Sequence, residues 1–202
     1  MPCTGLRNPS PSSRKARAML TGSSPPGNSV KPSELRFRSE VWPEDADTVR
    51  RLARATRFFS APEVAVAVEL VEERRLKGTA SGYEFVFAEG GNRVIAYTCF
   101  GPIPCTQGSY DLYWIVVDPA CQGQGIGRAL LERSELLMHG QGGRCVYIET
   151  SARAQYASTQ AFYRRCGYHQ AALLDDFYAP GDGKMIFRKV LESLPSGAPD
   201  KL

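Results

Sequence analysis

The stretch Asp118-Pro119-Ala120-Cys121-Gln122-Gly123-Gln124-Gly125-Ile126-Gly127-Arg128 decides how this chain is read. It joins an aromatic and β-branched run, Tyr110–Val117, to a segment of helical period from about Gly125 to His139. Asp118-Pro119 ends the run. Glycines at 123, 125 and 127 let backbone N–H groups approach an anion without interference from a Cβ. The helix start adds unpaired N–H groups and the positive end of a dipole, which together favour a phosphate. Arg128 adds a fixed charge. The loop reads as a pyrophosphate cradle, and the alternative is a tight glycine turn with no ligand. A Walker A loop is absent. The G-x-G-x-x-G/A dinucleotide pattern fails from Gly123, where its last position is Arg128, and from Gly125, where it is Leu130.

Upstream of the loop, alternation over Leu35–Trp42 predicts an opening strand. Pro43 with Glu44, Asp45 and Asp47 predicts a helix start, with Val49, Leu52 and Ala53 as its apolar stripe. Ser60 and Glu63 form a capping-box pattern for a second helix that runs to Lys77 and stops at Gly78. Tyr83–Ala88 and Arg93–Phe100 flank Glu89-Gly90-Gly91-Asn92, which predicts an antiparallel hairpin. Downstream, Cys145–Thr150 reads as a strand and Tyr156–Arg165 as a helix. Tyr168–Leu174 and Met185–Val190 read as two closing strands around Pro180-Gly181-Asp182-Gly183. The order describes an α/β chain with a mixed sheet covered by helices. By alternation, Asp111, Tyr113 and Ile115 should share one face of their strand.

Charge divides the 202 residues unevenly. Residues 1–33 carry Arg7, Arg14, Lys15, Arg17 and Lys31 without an acid, whereas the net charge of the whole chain is only +4. This Ser/Pro/Gly-rich stretch is expected to be a disordered basic tail, with 34–192 as the folded domain and 193–202 as a second tail. The first 33 residues lack the apolar core of a secretory signal; an organelle transit peptide and an over-long start with Met19 as initiator both stay open. A basic tail can also touch nucleic acid or an anionic membrane, though composition favours plain solvation. Apolar runs are too short to span a bilayer, so a cytoplasmic protein without membrane or nucleic-acid partners is expected. The six cysteines show no zinc-ligand spacing, so no metal is expected, and reduced, packed thiols are the default. Cys121, beside the cradle, is either an inert packed thiol or a modifiable one.

Taken with the strand order, these blocks resemble the GNAT superfamily of N-acetyltransferases. Gln122, Gly125 and Gly127 match that family's Gln/Arg-x-x-Gly-x-Gly/Ala coenzyme A signature. Ala161-Phe162-Tyr163-Arg164-Arg165-Cys166-Gly167-Tyr168 resembles its Tyr-x-x-x-Gly-Phe/Tyr closing motif. The resemblance covers about residues 34–192. It implies a twisted sheet of about seven strands with splayed middle strands and about four helices. It also implies acetyl-CoA as the coenzyme: its pantetheine arm would lie along Ile115, Val116 and Val117, and its diphosphate against Gln122, Gly123, Gln124, Gly125, Ile126, Gly127 and Arg128. Dimers are common in the family.

By the same resemblance Tyr163 matches the general acid beside the coenzyme sulfur, against the alternative of an aromatic packing residue. Glu149, at the end of its strand, is the candidate general base, as in acetyltransferases acting on ribosomal-protein N-termini; a structural carboxylate is the alternative. The family's Asn before the tyrosine is missing, with Tyr156 or Ser158 in that region. Asp111, Tyr113, Trp114 and Tyr156 are candidates to line the acceptor pocket, and Asp176 and Tyr178 to form a lid. A base matters because neutralising a lysine-like amine at pH 7 costs roughly 4.6 kcal/mol, and an α-amine roughly 1.4 kcal/mol. The expected reaction is acetyl transfer to a primary amine of a small molecule or protein. An acyl-CoA-binding sensor with weak catalysis is the competing reading.

Overall fold

The computed structural model describes residues 31–191 and the backbone of Arg17–Met19. Strand β1 is Arg17–Met19, and β2 is Arg36–Arg38. Helices α1 (Asp45–Ala55) and α2 (Ala61–Lys77) precede the hairpin of β3 (Glu84–Gly90) and β4 (Arg93–Pro102). Then come β5 (Ser109–Val117), α3 (Ile126–Gly140), β6 (Cys145–Ser151), α4 (Ala157–Arg165), β7 (His169–Ala179) and β8 (Asp182–Val190). The main sheet runs β2-β3-β4-β5-β6-β8-β7, seven strands in mixed directions, and β1 pairs separately with β5. No helix among the described residues is long and apolar enough to cross a membrane.

Local chemistry accounts for most boundaries. Ser60 and Glu63 close a capping box at the start of α2, and Gly78 ends it at a φ of 58°. The opening strand is shorter than alternation predicts, Arg36–Arg38, because Arg38 turns to bind Asp45 and Glu89 and fixes the start of α1 against the sheet edge. The first hairpin is tighter than a four-residue turn: Gly90 pairs with Arg93 across Gly91 and Asn92, with a bulge at Ala88/Glu89. The last hairpin extends to Ala179 and Asp182.

Each face of the sheet is packed. On one, Leu130, Leu131 and Met138 of α3 and Phe162 and Tyr163 of α4 bury Ile115, Val117, Ile148 and Phe187. On the other, Val49 and Leu52 of α1 and Ala67, Leu70 and Val71 of α2 bury Phe85, Tyr97, Tyr113, Trp114 and Val116.

The register of β4 on β5 carries the feature that matters most. Cys99 faces Trp114, but Phe100 faces Leu112, so Tyr113 is an extra residue on β5. The bulge breaks the alternation that the sequence implies. Tyr113 and Trp114 both join the α1/α2 face, while Ile115 turns to the α3/α4 face. Asp111 and Tyr113 therefore do not share a face with Ile115. Gly101 makes this crowding possible, since a Cβ there would meet the Gly82 carbonyl oxygen and lie 3.3 Å from the Tyr113 ring. Gly101→Ala is expected to lower stability by about 1–3 kcal/mol, read as a lower urea midpoint with an unchanged m-value.

Candidate active site

β5 and β6 are paired only at their beginnings. The parallel register holds Ser109 to Cys145, Tyr110 to Val146 and Asp111 to Tyr147, and no pairing follows. The bulge at Tyr113 sits just past that point and increases the local bend. The edge of β5 that faces β6 thus runs from Leu112 to Val117 without β6 as partner. Ile115, Val116 and Val117, the residues assigned to the pantetheine arm, lie on this open edge, and all three are buried. The main chain of Trp114, Ile115 and Val116 is paired there with β1.

At the far end of β5 the glycine loop begins. The Asp118 side chain accepts from the Ala120 amide at 3.1 Å, and Arg51 and Arg93 lie 3.4 and 3.7 Å from its carboxylate. Gly123 and Gly125 take φ values of 75° and 83°, a left-handed conformation that costs other residues about 1–2 kcal/mol. Gly125 caps α3, and the first intrahelical bond of the turn runs from the Ala129 amide to the Gly125 carbonyl at 3.1 Å. The amides of Ile126, Gly127 and Arg128 precede it, so they have no acceptor within the helix. Such a terminus suits a diphosphate.

Three of the loop's side chains do something other than face an anion. Gln122 is buried, and its amide nitrogen donates to the Val117 carbonyl at 3.1 Å, tying the loop to the end of β5. Arg128 is exposed and paired with Glu132 at 2.8 Å. Gln124 reaches back to the Ala120 carbonyl at 3.4 Å. Cys121 is buried, and its thiol is pushed up by burial and then by Asp118, which fits an inert packed group.

The two candidate proton carriers lie on opposite faces of the sheet. Tyr163 is fully buried on the α3/α4 face, with its ring 5.5–5.9 Å from those of Phe162, Tyr168 and Phe187. Burial, and then Cys166, push its phenol well above the usual tyrosine range, so it stays protonated. Glu149 alternates with buried Ile148 and so points to the α1/α2 face, as Asp111 and Tyr113 do. Lys184 of β8 binds Glu149 at 2.9 Å, is itself nearly buried, and lies 4.1 Å from the centre of the Phe177 ring. Asp111 is pushed up to about 7, first by burial and then by the charge of Glu149, with Lys184 opposing. Trp114 and Tyr156 are buried, packing edge-on against Phe59 at 4.9 Å and Phe58 at 5.1 Å. They form the floor of this side. Asp176 accepts from the Gly181 amide at 2.7 Å and shapes the β7–β8 turn. No group of three or more metal-ligating side chains occurs among the described residues.

An acetyltransferase (GNAT) domain model matches residues 81–170. A crystal structure described as an acetyltransferase of the GNAT family, from Desulfovibrio desulfuricans, is 45% identical; it covers 78% of this chain and 99% of its own, with a TM-score of 0.77. The chain belongs to the GNAT acetyltransferase family.

Curated relatives include the N-alpha-acetyltransferase RimI of Mycobacterium tuberculosis, 36% identical over 46% of this chain and 57% of its own. The [ribosomal protein bS18]-alanine N-acetyltransferase of Escherichia coli is 36% identical over 36% of this chain and 48% of its own. The chain thus spans about half the length of the curated relatives it matches. The matched GNAT region holds the open edge, the glycine loop, Asp111, Glu149 and Tyr163. It leaves out α1, α2, the connection between them that carries Phe58 and Phe59, and β8, which carries Lys184.

Lys184 is the residue that sequence reasoning missed. Its signal was a lone lysine directly before Met185-Ile186-Phe187, in a strand otherwise set to be buried. The three charges make a testable set. Replacing Glu149 with Gln removes a like charge, so the apparent pKa of Asp111 should fall below 7; Lys184→Met removes an opposing charge, so it should rise. Carboxyl carbon NMR titration checks both directions.

Proposed function

We propose that this GNAT-family chain transfers an acetyl group from acetyl-CoA to a primary amine by direct attack in a ternary complex. The observation that carries the reading is the open edge of β5. At one end it meets the orphan amides of α3. Along its length it separates a protonated phenol, Tyr163, on one face from a carboxylate pair, Asp111 and Glu149, on the other.

In this reading the amides of Ile126, Gly127 and Arg128 hold the diphosphate, and Gly123 and Gly125 let it approach. Gln122 acts by fixing the loop. When bound, acetyl-CoA supplies a thioester as acyl donor. The main chain of Ile115, Val116 and Val117 aligns the pantetheine arm. The acceptor amine enters from the α1/α2 face past Trp114 and Tyr156, so donor and acceptor meet in the opening from opposite sides.

Asp111 suits the base role better than Glu149. An oxygen of Glu149 is engaged by Lys184, while Asp111 titrates near 7, where a general base is most effective. Glu149 then acts as a positioning residue that keeps Asp111 basic, and Lys184 limits that effect. On the other face Tyr163 keeps a proton at its phenolic oxygen for the departing sulfur. An α-amino group is the acceptor easiest to neutralise, and the names of the RimI-type relatives point the same way.

Thiol release from acetyl-CoA tests the reading, measured across alanine-initiated peptides, lysine peptides, polyamines and aminoglycosides. Turnover with at least one acceptor is expected. Tyr163→Phe should lower kcat about 10²–10⁴-fold and leave coenzyme affinity unchanged. Binding without turnover across the whole panel would overturn it in favour of a sensor. Because Asp111 must be deprotonated to accept a proton, kcat/KM should rise with pH through about 7. That limb should vanish in Asp111→Asn.

A further inference from the structure

Two separate pieces of the N-terminal segment lie on the proposed coenzyme site. The first is β1: Arg17, Ala18 and Met19 pair in parallel with Trp114, Ile115 and Val116, on the edge of β5 that β6 leaves open. The second is Pro32, whose Cγ would lie 3.3 Å from a Cβ placed on Gly125, the glycine that caps α3. Residues 17–19 and Pro32 therefore meet the two halves of one site, the strand edge and the phosphate cradle.

Adjacent strands lie about 4.7–4.9 Å apart, so one lane runs beside β5. A backbone in that lane uses the N–H and C=O groups of residues 114–116. An amide-bearing arm that bonds to the same edge needs the same groups and the same space. Docking of β1 and seating of the arm are then mutually exclusive.

We infer that the Arg17–Met19 segment is an internal occupant of the coenzyme slot, which must leave before the pantetheine arm of coenzyme A can enter. This rests on the slot being the coenzyme site, as argued above. It makes the N-terminal segment a competitive brake on the enzyme. The measured dissociation constant for coenzyme A is the intrinsic one divided by the fraction of chains whose slot is open. A partner that captures the basic stretch around Arg14, Lys15 and Arg17 raises that fraction.

The test uses the full chain and coenzyme A alone. Ala18→Pro/Met19→Pro removes two strand N–H groups. Calorimetry should show coenzyme A binding at least about tenfold more tightly to this variant than to the wild type, consistent with a slot about nine-tenths closed at rest. Without coenzyme, the amides of residues 114–116 should exchange faster in the variant. A synthetic peptide spanning residues 14–22, added to the variant, should weaken coenzyme binding competitively, and a scrambled peptide should not. Equal affinity in wild type and variant, with no competition by the peptide, overturns the inference while leaving the coenzyme site intact. Failure of both proteins to bind coenzyme A overturns the site itself and the inference with it.

Discussion

The structure turns on a failure of pairing. Parallel strands bond at every step where they run side by side, yet β5 and β6 part after Asp111 and Tyr147. A buried main-chain group left without a partner costs about 1–3 kcal/mol, so an open edge at the centre of a sheet persists only if the surroundings hold it open and something else satisfies it. The bulge at Tyr113 and the space at Gly101 do the first. An extended chain beside residues 114–116 does the second, and in this molecule β1 takes that place. The same edge that is proposed to take the coenzyme also makes a docking lane for the chain's own backbone.

The opening organises everything around it. α3 and α4 close one face and bring Tyr163 into an apolar surround that keeps its proton in place. α1 and α2 close the other, where aromatic pairs form a floor beneath Asp111, Glu149 and Lys184. The sheet separates the phenol of Tyr163 from the carboxylates of Asp111 and Glu149. It also lets burial tune each without reference to the other.

Much of this was legible in the sequence, because it is written in local chemistry. The capping box of α2, the glycines at 123 and 125, the strand-to-helix passage at Asp118-Pro119 and the closing Tyr163 block all carry their signal within a few residues. The rest depends on contacts distant in sequence. A one-residue bulge leaves no compositional trace, so alternation placed Tyr113 with Ile115 when β4 forces them apart. Lys184 gains its meaning only from Glu149, which lies on a different strand. Arg17-Ala18-Met19 has no strand-like pattern and sits in a basic, Ser/Pro-rich stretch. Its extended form is imposed by the edge it meets and could not be read from its residues.

The most direct test of the central claim is an amide NMR titration with acetyl-CoA. The account predicts the largest shifts at Ile126, Gly127 and Arg128 and along Trp114–Val117, as the diphosphate and the arm take up the two ends of the opening. Saturable binding that left those amides unmoved while shifting others would contradict it.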